Sequence, residues 1–419
     1  MKKYTTKPLV KGRKNMEGPF IKAKPIIATL MEAGFEAYFV GGSVRDYLLG
    51  RSIGDVDIAT SALPEDVQAL FDKTIPVGIQ HGTVVVVHND ECYEVTTFRI
   101  DGDYQDYRRP STVEFVTSLK EDLSRRDFTI NAIAMDIHGT IIDPFEGKKD
   151  LQNKFIQTVG NPDDRFLEDP LRIMRAIRFV SQLDFELSME TKISIEKHAN
   201  LLLKISVERV LVEFEKLLTG QANEKAMILI TELRIQNYLP LLENKEVELR
   251  QFAVLCSKLA LSLEEKWALL LHILKVEDIG LFFKQWKSSN ERIKICRLYL
   301  NVMAELKNDT NLLRYTVYTY GLEALKSGIR LLGLLENKQT NAMLSELQTI
   351  YESLPILTRK DMVITGNDLI EWFSKRQGPW ISKTIEGVER AIVNGEVENN
   401  KEKIKEWLLT CNPPFENNY

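Results

Sequence analysis

Apolar residues change their spacing near residue 150. Before that point they gather in short runs at 36–40, 56–59, 83–88 and 93–99, each the length of a strand and bounded by turn-forming residues. The last two runs are joined by Asn89-Asp90-Glu91-Cys92, which predicts a hairpin. Residues 64–71 read as a helix with Pro64 in its first turn. After Phe166 the apolar positions recur three and four apart, predicting helices over 172–180, 190–203, 207–218, 264–274 and 290–306. Glycine and proline follow the same divide, with 12 of 22 glycines and 7 of 14 prolines in the first 150 residues. The pattern predicts a mixed α/β front domain followed by a long helical remainder in roughly three parts. Residues 1–18, basic and polar, read as a loosely held extension.

Composition narrows this picture without redirecting it. At 44% hydrophobic and 27% charged residues the chain is an ordinary globular one, which excludes disorder and fibrous repeats. No apolar stretch approaches the ~20 residues of a membrane span, and lysines at the start precede no apolar core of a secretory signal. Four scattered cysteines form no CxxC pair, arguing against a zinc cluster or disulfide framework and for a reducing cytoplasm. The net charge of −5 does not by itself predict nucleic-acid binding, but a basic patch is compatible with an acidic total.

The candidate chemistry begins at Gly41-Gly42-Ser43-Val44-Arg45-Asp46, between a predicted strand and helix. A glycine pair before a helix start lets backbone N–H groups approach a phosphate, and Arg45 adds a guanidinium; the plain alternative is a tight strand–helix turn. Gly54-Asp55-Val56-Asp57 follows. On a strand, Asp55 and Asp57 project to one face roughly 6.6 Å apart, where two carboxylates can hold divalent cations for in-line displacement at phosphorus. A rival Asp101-Gly102-Asp103 reads as loop and lacks the upstream glycines and arginine. Glu94 on the predicted hairpin completes an acidic trio, serves as a base, or pairs across the strands with Arg99. Arg125-Arg126-Asp127, with Asn131 close behind, offers guanidinium donors beside a carboxylate acceptor, suited to ribose and phosphate, or else a surface charge cluster.

The segment Glu168-Asp169-Pro170-Leu171-Arg172 continues to Arg175 and Arg178. On a helix these three arginines fall within one 120° arc, opposite Ile173, Ile177 and Val180. They form a solvated face or await an acidic ligand. An aspartate acceptor beside an arginine donor matches the amino group and unprotonated ring nitrogen that cytosine and adenine share. Uracil and guanine present the inverse, at a penalty of roughly 1–3 kcal/mol per mismatched group. Asp169 and Arg172 would then admit CTP and ATP only; alternatively Asp169 caps the helix that follows Pro170.

In this order and spacing the segments resemble the class II tRNA nucleotidyltransferases, the CCA-adding enzymes of the polymerase-β-like nucleotidyltransferase superfamily. The glycine pair with Asp55 and Asp57 resembles their metal and triphosphate motif, and 125–127 with Asn131 their ribose motif. Asp143-Pro144-Phe145-Glu146-Gly147 resembles the head–neck hinge, Glu168 to Arg178 the amino-acid template, and Glu208-Arg209 to Leu217-Leu218 the helix supporting it. The resemblance implies an α+β fold: a nucleotidyltransferase head with a small mixed sheet (19–155), then a helical neck (156–220), body (221–310) and tail (311–419). It implies template-independent addition of C, C and A to tRNA from CTP and ATP, with Mg2+ as cofactor, tRNA held by its acceptor and T-arm region, and no membrane or protein partner. By position, Asp55 and Asp57 would hold metal beside Glu94, Gly42 and Arg45 the triphosphate, and Arg126 the sugar. Asp169 and Arg172 would read the base, supported by Arg175 and Arg178. Residues 99–110 resemble the mobile loop that full CCA-adding enzymes keep and that CC-adding relatives are expected to lack. No His-Asp dipeptide marks the phosphohydrolase domain of some relatives. A bacterial poly(A) polymerase or a partial CC- or A-adding enzyme is the alternative within the superfamily, and a catalytically silent RNA-binding protein the alternative outside it.

Overall fold

The short apolar runs pair into one sheet in the computed structural model, which describes residues 18–102, 113–308 and 312–410. Its strands are β1 (Ala37–Val40), β2 (Asp57–Thr60), β3 (Thr74–Gly78), β4 (Thr83–His88) and β5 (Glu91–Thr97). A separate hairpin of β6 (Arg99–Asp101) and β7 (Val113–Phe115) follows, and β8 (Ala134–Met135) and β9 (Ile141–Ile142) complete the sheet. The order is β3-β4-β5-β2-β1-β8-β9, with β2 and β5 parallel and every other neighbouring pair antiparallel. The β4–β5 turn is tighter than the sequence suggests. His88 pairs with Glu91, so only Asn89 and Asp90 turn the chain, both at positive φ as a type I′ turn requires. The exposed edge strand β3 carries no clear alternation and was not predicted.

Strand alternation decides what each sheet face does. Phe39, Ile58, Val84, Val86 and Val95 point to one face and are fully buried under α1 (Pro19–Glu32) and α3 (Pro64–Leu70). Between those two helices in the chain lies α2 (Gly42–Leu48), which follows β1 directly. Val40 and Ala59 point to the other face and join Phe98, Leu119 and Leu123 in a second core beneath α4 (Leu119–Ser124). The same face carries Asp57, Glu94, Thr96 and Thr83 where that cover ends.

Beyond α5 (Gly147–Asn153) the chain is almost entirely helical, apart from a two-stranded parallel pair of β10 (Phe155–Ile156) and β11 (Glu186–Leu187). Helix α6 (Pro162–Glu168) is capped by Asn161, and α7 (Leu171–Leu183) follows after a two-residue break. Next come α8 (Met189–His198), capped by Ser188, a 3-10 turn over Ala199–Lys204, and α9 (Val207–Leu218). Gly220 lets the end of α9 lie against α7, since a Cβ there would stand 2.2 Å from Ser181 Oγ. Ser181 Oγ in turn donates to the Leu217 carbonyl (2.5 Å). Helices α10 (Asn223–Glu232) and α11 (Glu246–Lys258) continue this part, with Trp286 tilted against Phe214 at 4.9 Å between ring centres.

The chain divides into two compact units, one running to Ser257 with Lys284–Ser288, the other comprising Lys258–Phe283 and the residues from Ser289 onward. The second contains α12 (Leu263–Ile273), most of α13 (Ile279–Gln285), α14 (Asn290–Asn308), α15 (Arg314–Tyr320), α16 (Leu322–Glu336) and α17 (Asn341–Glu352). It ends with α18 (Gly366–Phe373), α19 (Pro379–Asn394) and α20 (Lys401–Thr410). One core there gathers Val302, Leu306, Leu325, Ile329 and Leu347; another gathers Ile364, Leu369, Val388, Ile392 and Ile404. Among the described residues no helix is long and apolar enough to cross a membrane. Residues 1–17 of the expected extension and 103–110 of the expected loop lie outside the described residues.

Candidate active site

A cleft of about 660 Å³ within the first unit is bounded by the open end of the sheet on one side and by α7 and α9 on the other. Of the residues singled out from sequence, Gly42, Arg45, Asp57, Glu94, Arg126, Asp169, Arg172, Arg175 and Arg178 all line it. Asp55 does not. Strand β2 begins at Asp57, so Asp55 sits two residues before it as an exposed residue rather than on the strand as expected. It is nonetheless close enough to act on Asp57 electrostatically.

Asp57 opposes Val40 on β1, and extending the Ile58–Val95 register back by one places it beside Glu94 on β5. Burial pushes the Asp57 carboxyl up to about 6; the Glu94 charge adds to this, Arg126 opposes it, and Asp55 raises it further. The Glu94 and Asp55 carboxylates thus press on Asp57, with the Arg126 guanidinium opposing them. A cation would relieve that strain, and oxygen donors suit a hard one. Among the described residues no group of three His, Cys, Asp or Glu is gathered to hold a metal unaided. Two carboxylates completed by substrate phosphates is, however, the arrangement magnesium favours, so the residues fit the ion.

Gly41 closes β1 at φ +73, a conformation glycine adopts without cost. A Cβ at Gly41 would lie 3.2 Å from Arg126 Nη1 and 3.6 Å from Asp57 Oδ2, so the glycine keeps the space between these groups open. Arg45 is held side-on by Asp46 (3.0 Å from both Nε and Nη2) and donates from Nη1 to Asn131 Oδ1 (2.7 Å). Arg125 and Arg126 both pair with the buried Asp122, at 2.7 and 3.1 Å. Neighbouring Asp127 accepts from Arg175 Nε (2.8 Å), Asn131 Nδ2 (3.0 Å) and the Phe128 N–H (2.8 Å). Burial alone would raise its pKa, but the Arg175 charge and these hydrogen bonds outweigh it and hold the carboxyl at about 2.

Helix α7 corrects one alternative offered from sequence. Its arginines do not form a solvated face: Arg172 pairs with Glu168 (2.6 Å), Arg175 with Asp127, and Arg178 with Glu213 (3.0 Å), each acid coming from another element. Arg172 and Arg178 are buried. Burial lowers the Arg178 pKa to about 10, the Arg175 charge adding to it and Glu213 opposing. Asp169 and Arg172 are not bonded to each other either. One Asp169 oxygen accepts from the Leu171 N–H (3.1 Å), which realises part of the capping alternative, and the other from Arg209 Nη2 on α9 (2.9 Å). Each oxygen keeps a lone pair for a ligand. Arg172 also donates to the carbonyls of Arg165 (3.1 Å) and Arg125 (3.2 Å), which fixes its guanidinium at the cleft wall.

Several cleft residues were not singled out from sequence. Phe179 receives Arg178, Arg45 and Arg175 on its ring at 4.2, 5.2 and 5.9 Å, joining the glycine turn to the arginine helix by cation–π contacts. Glu213, buried behind the cleft wall where it pairs with Arg178, was hidden inside an apolar helix pattern, although Arg209, Glu213 and Lys216 at i, i+4 and i+7 share one face and signal a charged stripe. Thr83 and Thr96 read as ordinary strand residues.

Residues 37–157 match the family model described as the poly A polymerase head domain. Residues 184–246 match the probable RNA and SrmB-binding site of polymerase A, and 261–408 a putative domain 2 of tRNA nucleotidyltransferase. The chain is 48% identical over 397 residues to a CCA-adding enzyme of Geobacillus sp. (strain WCH70), covering 95% of this chain and 98% of that one. The crystal structure of the Bacillus stearothermophilus CCA-adding enzyme in complex with CTP matches with a TM-score of 0.86 at 46% identity, over 94% and 98% of the two chains. A tRNA nucleotidyltransferase complexed with a primer tRNA and an incoming ATP analog matches with a TM-score of 0.59 at 26% identity, over 78% and 97%.

Proposed function

Because the chain belongs to the CCA-adding enzymes, the tRNA nucleotidyltransferases that complete the 3′ end of tRNA, we propose that its cleft adds C, C and A in turn from CTP and ATP with no nucleic-acid template. The observation that carries this is the opposition, across one cleft, of Asp57 and Glu94 on the sheet to Asp169 just before α7 and Arg172 on it. The relatives solved with CTP and with tRNA and an ATP analog support the same substrates.

In this reading the triphosphate lies against Gly42 and Arg45, the ribose against Arg126, and the base against Asp169 and Arg172. Arg209 and the Leu171 N–H hold the Asp169 carboxylate as an acceptor for the exocyclic amino group of cytosine or adenine. Glu168 and two backbone carbonyls aim Arg172 at the adjacent ring nitrogen. Uracil and guanine would set acceptor against acceptor and donor against donor. Arg175 and Arg178, pinned by Asp127 and Glu213, stiffen the wall behind.

Asp55 and Asp57 would hold a pair of magnesium ions, which when bound promote ionisation of the attacking hydroxyl and neutralise charge on the leaving oxygen. The tRNA 3′-oxygen forms a bond to the α-phosphorus, the bond to the β-phosphate oxygen breaks, and pyrophosphate leaves. Glu94, exposed beside Asp57, accepts the hydroxyl proton. We assign residues 19–155 to this chemistry, 156–220 to base selection, and the body (221–310) and tail (311–419) to carrying the acceptor and T-arm of tRNA. A tRNA ending at its discriminator base, offered CTP and ATP with Mg2+, is extended by three nucleotides; CTP alone gives two. A longer ladder of A residues would overturn the reading in favour of a poly(A) polymerase.

A further inference from the structure

The cleft extends past the carboxylates, away from the glycine turn, to two threonines with no part in the scheme above. Thr96 lies two positions after Glu94 on β5, and Thr83 is its direct partner on β4. Their neighbours Val84 and Val95 point to the opposite, fully buried face, so alternation sends both hydroxyls to the cleft side, where both line the cavity. The two oxygens are 3.1 Å apart, and either can donate to the other. Each hydroxyl has one donor and two acceptor sites, so the mutual bond leaves one donor and several lone pairs open to a ligand. The strand order then runs from the threonines on β4 and β5, through the carboxylates on β5 and β2, to the glycine turn after β1. In-line displacement needs the attacking oxygen and the leaving group on opposite sides of phosphorus. With the triphosphate at the glycine turn, the attacking nucleotide belongs on the threonine side.

We propose that Thr83 and Thr96 seat the ribose of the tRNA 3′-terminal nucleotide and read its 2′-hydroxyl, the group that separates RNA from DNA. The inference rests on the nucleotidyltransferase reading of the same cleft. On this account the pair are positioning residues that place the neighbouring 3′-hydroxyl beside Asp57 and Glu94, and they make the enzyme discriminate against a deoxy terminus.

The test compares two RNA acceptor-stem hairpins that differ only in ribose or 2′-deoxyribose at the last nucleotide, both with a free 3′-hydroxyl. Incorporation from CTP is measured for the full-length wild type and for Thr83→Val, Thr96→Val and Thr96→Ser. The wild type is expected to prefer the ribose terminus by about tenfold in kcat/KM, the worth of one hydrogen bond. In the valine variants that ratio collapses toward one while the KM for CTP stays at the wild-type value, and Thr96→Ser retains the preference. Equal use of both primers by the wild type overturns the proposal. So does equal slowing on both primers in the valine variants, which is what a purely structural cross-strand pair would give. Failure of the wild type to extend either primer instead sinks the functional reading, and the inference with it.

Discussion

Asp57→Asn should stabilise the metal-free protein while removing its activity. The wild-type carboxyl is raised from 3.8 to about 6, chiefly by burial and then by the Glu94 charge. Holding it ionised at neutral pH therefore costs the folded state up to about 3 kcal/mol. Between pH 3.8 and 6 the folded protein binds this proton more tightly than the unfolded chain does, so wild-type stability falls as pH rises through that window. Asparagine carries no proton to lose and is nearly the same size. The variant's advantage should be close to zero at pH 4 and should reach on the order of 3 kcal/mol at pH 7.5, a rise in Tm on the order of 5 °C. Thermal unfolding in chelator at both pH values measures it, since other carboxylates titrate alike in the two proteins and cancel. Adding Mg2+ should narrow the gap, because an ion held by the aspartate stabilises only the wild type. An asparagine variant that is less stable at pH 7.5, or equally improved at pH 4 and 7.5, would refute the argument that Asp57 is held ionised against its surroundings.

Arg209→Ala frees one oxygen of Asp169, and should raise the KM for both CTP and ATP by about tenfold while eroding discrimination against UTP in single-nucleotide incorporation, with tRNA binding preserved. Glu213→Gln leaves the buried Arg178 without its anion and should cost about 3 kcal/mol in denaturant unfolding of the first unit. Gly220→Ala would drive a methyl to 2.2 Å from Ser181 Oγ and 2.7 Å from its carbonyl. It should lower stability by about 1–3 kcal/mol by prising α9 from α7, with a parallel loss of CTP affinity.

What sequence disclosed and what it withheld divide along a physical line. Helix α9 was bounded correctly at 207 and 218 because its apolar positions keep a helical period and Leu217 and Leu218 close it against a core. The predicted helix over 172–180 emerged as Leu171–Leu183, and the predicted strand over 83–88 with its own ends. The edge strand β3 stayed hidden because its residues are largely exposed and no buried face imposes alternation. The same holds within the site. The glycine pair, the two aspartates and the spaced arginines are local patterns, and the sequence displays them. The partners of Arg175, Arg178 and Asp169 are not local, unlike Glu168 beside Arg172. Asp127 lies 48 residues from Arg175, and Arg209 lies 40 residues from Asp169. Only folding reveals that the apparent Asp169–Arg172 couple is two separately anchored groups. Thr83 and Thr96 are likewise ordinary strand residues until the β4–β5 register places them side by side beside Glu94.

The central claim is that carboxylates on the sheet do the chemistry while other parts of the chain hold the tRNA. Asp55→Ala and Asp57→Ala, assayed side by side for CTP incorporation into tRNA and for tRNA binding, test it most directly. The account predicts incorporation reduced by at least a thousandfold in both variants, with the tRNA Kd within twofold of wild type. Substantial incorporation by either variant, or loss of tRNA binding in step with activity, would contradict it.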